Sequence, residues 1–135
     1  MSVAYVDSSC IVAIVFGEAA GIGTGRRLRR YDHLFASNLL EAEVCSAAER
    51  EGVVLARPAV FQDILWVLPS RPLSPEIDRT VAAGYLRGAD LWHVATALYL
   101  KEHFPELEFL TLDQPQADVA ARLGFVTPLR TGTVR

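Results

Sequence analysis

An α/β/α sandwich around a mostly parallel sheet of four or five strands is the fold class this sequence predicts. Short runs rich in β-branched and aromatic residues alternate along the chain with longer helical segments. Those runs are apolar throughout, as in strands buried on both faces of a parallel sheet. The chain has 135 residues, of which 51% are hydrophobic, enough for one domain with a substantial core. No linker, repeat or low-complexity stretch interrupts it, so a single domain is expected over residues 1–130, with a short tail at 131–135.

The elements follow in order. "SVAYVD", Ser2–Asp7, is the first strand. Ser8 or Ser9 is placed to cap the helix "CIVAIVF", and Gly17 to end it. A second helix is expected through Glu18–Arg30, and a second strand at "HLFAS", His33–Ser37. Asn38 is placed to cap a third helix, "LLEAEVCSAAERE", which stops at Gly52. Pro58 suits the first turn of a further helix running to about Leu65. "WVLPSRPL" is extended and broken by proline, a short strand with a turn. Ser74 then reads as a cap, Pro75 as the first helical residue, and Glu76 and Asp78 as first-turn acids. Next comes the apolar helix that begins near Asp90. "LEFLTLD", Leu107–Asp113, is a buried strand, "QPQADVAARLG" a helix closed by Gly124, and "FVTPL" a last short strand.

Composition narrows the function. The formal net charge is −3 with a sequence pI near 5.6, so bulk positive charge does not hold a nucleic acid here. One local basic patch exists, Arg26, Arg27, Arg29 and Arg30. It is either a solvated helix face or a contact for phosphate or a partner. The apolar run Cys10–Phe16 is far shorter than the roughly 18 residues of a membrane span. The first residues lack Lys and Arg, and Asp7 interrupts the apolar segment, unlike a signal peptide. A soluble, cytoplasmic protein is expected. Cys10 and Cys45 form no C-x-x-C pair and read as buried free thiols.

Acids stand where such a fold gathers its ligands, at the carboxyl ends of the strands. Asp7 ends the first strand and Asp113 ends "LEFLTLD". Each could simply cap the helix that follows. Asp90 precedes the stripe Leu91, Val94, Ala95, Leu98. It reads either as an N-cap accepting from Trp92 or His93, or as an acid beside the core that requires a partner or a cation. In the third helix the apolar stripe centres on Leu40, Val44 and Ala47. Glu43 falls at its margin, while Glu41 lies further round and Glu49 points away. Carboxylates sharing a pocket repel, and a divalent cation relieves that conflict. All-oxygen ligands favour Mg²⁺ or Mn²⁺, which activate water and neutralise phosphate charge. The chemistry implied is phosphodiester hydrolysis.

"YVDSSCIVAIVFGE", "ASNLLEAEVCSAAER", "LRGADLWHVATAL" and "FLTLDQPQADVAARLGF" resemble the successive motifs of PIN-domain nucleases. Length and compact pattern resemble the VapC-type toxins of toxin–antitoxin pairs. The likeness spans nearly the whole chain and is least specific between Gly52 and Ala83. It implies that Asp7, Glu43, Asp90 and Asp113 bind Mg²⁺ or Mn²⁺, and that a metal-activated water cuts RNA to leave a 5′-phosphate and a 3′-hydroxyl. Ser9 and Thr111 match hydroxyls that support the carboxylates. His93 also matches the pattern, as a packed or hydrogen-bonded histidine rather than a general base. Gln116 stands where the family usually has an apolar residue, which bears on the packing of the last helix. Asp118 either supports the acids from behind or faces solvent. The resemblance further implies a homodimer and a cognate antitoxin whose Arg reaches the acids. The Arg26–Arg30 patch would serve RNA or that partner.

The alternative is a non-catalytic RNA- or protein-binding module of the same fold. A haloacid-dehalogenase-like enzyme would need a second Asp where Ser9 stands. A receiver domain would need paired acids by the first strand and a late Lys, whereas the only Lys is Lys101, on a helix.

Overall fold

The computed structural model describes residues 1–130; the tail expected at 131–135 lies outside the described residues. Four strands form one all-parallel sheet: β1 (Val3–Val6), β2 (His33–Ser37), β3 (Ile64–Val67) and β4 (Glu108–Leu110), in the spatial order β3-β2-β1-β4. Register pairs Tyr5 of β1 with Phe35 of β2 on one side and Phe109 of β4 on the other. β2 in turn pairs Phe35 with Leu65 of β3.

Among the described residues seven helices flank the sheet: α1 (Ser8–Val15), α2 (Gly21–Leu28), α3 (Leu39–Glu51), α4 (Arg57–Phe61), α5 (Ser74–Ala83), α6 (Gly88–Lys101) and α7 (Gln114–Arg122). Side chains alternate across a strand, and β1 shows it. Val3 and Tyr5 belong to a core with Val94, Ala97 and Leu98 of α6 and Val119 and Ala120 of α7. Ala4 and Val6 belong to a second core with Cys10 and Ile11 of α1, Leu28 of α2, and Leu40 and Val44 of α3. The sheet is therefore covered on both faces, which is the expected three-layer sandwich and explains why β1 is apolar at every position.

Several boundaries differ from the sequence reading. α1 is capped by Asp7, whose Oδ1 accepts from the Ser9 N–H at 3.2 Å; Ser8 and Ser9 are already helical. α2 begins at Gly21 instead of Glu18. A Cβ at Gly21 would overlap the Ala13 carbonyl oxygen, so α2 packs against the end of α1 through a position that must be bare. At α3 the side chain of Asn38 makes no cap bond, and Ser37 Oγ accepts from the Leu39 N–H at 3.1 Å instead. Gly52, with φ of +69°, ends that helix as expected. α4 is only five residues long, and Leu65, placed in it by the sequence, lies in β3. Ser74 is the first helical residue of α5, after the N-cap Leu73. α6 starts at Gly88 with Arg87 as N-cap, so Asp90 lies inside the first turn and is not the cap. "FVTPL" forms no strand; one bond, from Phe109 N–H to the Val126 carbonyl at 2.9 Å, ties it to β4. Pro128 has no N–H with which to extend a ladder there.

Both cysteines are free, Cys10 buried and Cys45 half-buried. Among the described residues, no helix is long and apolar enough to cross a membrane.

Candidate active site

The ladder between β1 and β4 continues one step past the end of β1, because the Asp7 N–H donates to the carbonyl of Leu110, the last residue of β4, at 3.1 Å. This sets Asp7 beside Thr111, 104 residues later in the chain. Thr111 Oγ1 donates to Asp7 Oδ2 at 2.6 Å, and Ser9 Oγ donates to Asp7 Oδ1, also at 2.6 Å. Ser9 Oγ accepts from the Leu112 N–H at 2.9 Å, and Thr111 Oγ1 from the Asp113 N–H at 3.0 Å. The two hydroxyls thus clamp one carboxylate and shape the turn that carries the next acid. Asp7 is 2% exposed. Burial pushes its carboxyl above the ordinary value, and the Ser9 and Thr111 bonds oppose that rise.

A second chain of bonds fixes Glu43. Ser37 N–H donates to the Tyr5 hydroxyl at 3.1 Å, that hydroxyl meets His93 Nδ1 at 2.7 Å, and His93 Nε2 meets Glu43 Oε1 at 2.6 Å. Nε2–H donates to the Glu43 carboxylate, and Nδ1 shares a proton-bearing bond with the Tyr5 hydroxyl. His93 is 1% exposed and bonded at both ring nitrogens, the hydrogen-bonded core histidine that the sequence suggests. Burial pushes the Glu43 carboxyl up, but the His93 hydrogen bond and charge outweigh it and hold it below its ordinary value. Trp92 Nε1 closes the arm by donating to Ser37 Oγ at 3.0 Å.

Asp90 and Asp113 meet at the N-termini of α6 and α7. Asp113 caps α7, its Oδ2 accepting from the Gln116 N–H at 3.0 Å. Gln116 Nε2 donates to Asp90 Oδ1 at 3.2 Å. Burial raises the pKa of Asp90, the charge of Asp113 raises it further, and that of Glu43 adds to both; Arg87 and His93 pull against them. The four acids therefore lie toward the carboxyl edge of the sheet, and Asp90 feels the charge of both Asp113 and Glu43.

Their chemistry fits a hard divalent cation, since all are oxygen donors and the negative charge on Asp90 is under-compensated. Their spacing is open: among the described residues no three His, Cys, Asp or Glu side chains stand close enough together to hold a metal ion. The side chains of Asp7 and Glu43 are held by hydroxyls and by His93, so the set would have to close inward around an ion.

The other candidates lie apart. Arg26 and Arg27 lie in the last turn of α2, and Arg29 and Arg30 follow it toward the start of β2, at the amino edge of the sheet and opposite the acids. Arg27 is engaged there, Nε donating to the Tyr31 hydroxyl at 3.1 Å and Nη2 lying 3.6 Å from Glu108 Oε1. Asp118 is paired with Arg130 at 2.8 Å and accepts from Gln114, so it belongs to the outer face of α7. The sequence reading treated Gln116 as a packing question only. Its link to Asp90 was signalled by a polar residue on a stripe shared with buried Val119 and Ala120.

A three-layer α/β protein with acids at the carboxyl edge of a parallel sheet is the class that fold and site define. The PIN domain family matches over residues 4–122, and the chain belongs to that family, whose fold is generally that of a nuclease. Among solved structures it is similar to the crystal structure of PAE2754 from Pyrobaculum aerophilum. The two share 17% sequence identity with a TM-score of 0.58, over 93% of this chain and 89% of that one. At that identity the likeness concerns the fold. No curated protein shows a significant match.

Proposed function

We propose that this PIN domain is a Mg²⁺- or Mn²⁺-dependent endoribonuclease and the toxin of a toxin–antitoxin pair. The observation that carries the nuclease reading is the placement of Asp7, Glu43, Asp90 and Asp113 at one edge, with Asp90 raised by burial and by Asp113. A divalent cation, when bound there, neutralises phosphate charge and acidifies a water. The chain's own residues do the rest. Ser9 and Thr111 hold Asp7 rigid, His93 orients Glu43, and Asp113 and Asp90 present carboxylates from two helix N-termini. In-line attack by water would leave a 5′-phosphate and a 3′-hydroxyl.

The toxin reading rests on the compact length and motif pattern shared with VapC-type proteins. It brings a cognate antitoxin, whose Arg would pair with the open acids in competition with a cation, and a homodimer. The Arg26–Arg30 patch, remote from the acids, is assigned to RNA or to that partner. The second reading, a non-catalytic RNA- or protein-binding module, is favoured by the open spacing of the acids.

The test incubates purified protein with total RNA and Mn²⁺ or EDTA, beside Asp7→Asn and Asp90→Asn. Cleavage by the wild type with Mn²⁺ alone, lost in both variants, is expected. Equal cleavage by wild type and Asp7→Asn would overturn the nuclease reading. RNA binding with neither cleavage nor Mn²⁺ uptake would establish the second.

A further inference from the structure

Gln116 is 1% exposed, yet it lies in the first turn of a helix whose other buried residues are Ala117, Val119 and Ala120. It touches both acids of the α6–α7 corner. Its backbone N–H donates to Asp113 Oδ2 at 3.0 Å, and its side-chain Nε2 donates to Asp90 Oδ1 at 3.2 Å. The amide orientation follows from chemistry, because turning it over would aim Oε1 at a carboxylate oxygen. That leaves Oε1 buried with no hydrogen-bond partner among the described residues. A buried acceptor without a partner destabilises a fold, and an apolar side chain of the same length would avoid that. Packing alone therefore does not account for this residue. A polar group kept at a cost to stability points to a role in the site.

We propose that Gln116 is a positioning residue that holds Asp90 and Asp113 in register and so sets the affinity of this edge for a divalent cation. Its backbone fixes the carboxylate of Asp113 and its side chain fixes that of Asp90, so one residue governs the relative aim of two candidate ligands on different helices. This inference rests on the metal-dependent reading above and goes beyond it by assigning a residue that is not itself an acid.

The experiment measures Mn²⁺ binding to metal-free protein by the loss of the free-ion electron paramagnetic resonance signal, together with metal-free melting temperature. Wild type, Gln116→Met, Gln116→Leu and Asp90→Asn are compared. The expected result is Mn²⁺ affinity weakened about 10- to 100-fold in Gln116→Met, with a metal-free melting temperature equal to or above that of wild type. Gln116→Leu serves in the same way if the Met variant does not fold. Wild-type affinity in Gln116→Met alongside lost binding in Asp90→Asn would overturn the role of Gln116 and leave the metal site standing. Affinity and melting temperature falling together would reduce Gln116 to a structural residue and also overturn the proposal. Undiminished binding by Asp90→Asn would instead remove the metal site, and the proposal with it.

Discussion

Asp7 is nearly inaccessible, and each of its carboxylate oxygens takes a hydroxyl, Ser9 on one and Thr111 on the other. Thr111→Val removes one of these bonds from a buried charge without changing side-chain shape. It is expected to destabilise the metal-free protein by about 1.5–3 kcal/mol at neutral pH. Because Asp7 already sits above its ordinary pKa through burial, losing Thr111 pushes it higher. The cost should shrink as pH falls and the carboxyl becomes neutral, which urea denaturation at a series of pH values would measure. Asp90 behaves differently. Its pKa is raised, so the folded state holds that proton more tightly than the unfolded chain does. The resulting penalty is absent below the ordinary carboxylate pKa, grows as pH rises through the raised value, and is constant above it. Asp90→Asn is therefore expected to raise the metal-free melting temperature at neutral pH, with the gain vanishing in acid. A variant that melts below wild type at neutral pH would contradict this account.

Elements that announce themselves by composition were legible in the sequence. His33–Ser37 was read to the residue, and α3 stops at the left-handed Gly52 as its pattern foretold. Helix starts were less legible, since Ser, Asn and Asp are good caps by type and only the backbone decides which one serves. Ser37, not Asn38, satisfies the N–H of Leu39, and the helix of Asp90 starts three residues earlier than an acid-cap reading allows. β3 was half-missed because Pro58 suggested a longer helix, whereas α4 ends after little more than one turn and Ile64 already pairs with Leu34. Asp7, Asp90 and Asp113 were singled out because they sit at or near element ends, and Glu43 because it lies at the margin of an apolar stripe. The bridge from Gln116 was not, because its partner is 26 residues away and no spacing rule reaches that far. Gly21 offers a test at this scale. Gly21→Ala would drive a methyl into the Ala13 carbonyl, so α1 and α2 must separate. A loss of about 1–3 kcal/mol is expected in thermal or urea unfolding, while Gly23→Ala, which meets open space, should be neutral or better.

For the whole molecule, the concentration of negative charge at one sheet edge means that a cation bound only by the folded state stabilises it. At a hundredfold excess over its dissociation constant, Mn²⁺ would add about 2.7 kcal/mol. Melting should rise with Mn²⁺ in the wild type and stay flat in a variant carrying Asp7→Asn and Asp90→Asn together. An equal rise in both would move the ion to another site. Topology adds a temporal consequence. The partner of Asp7 is Thr111, and β4, which delivers Thr111 and Asp113, is an edge strand drawn from the last quarter of the chain. During synthesis, a ribosome-bound fragment ending before β4 carries Asp7, Ser9, Glu43 and Asp90 but neither Thr111 nor Asp113. Such a nascent chain holds Asp7 by one hydroxyl instead of two, so this edge is complete only once β4 has been made and has paired with β1.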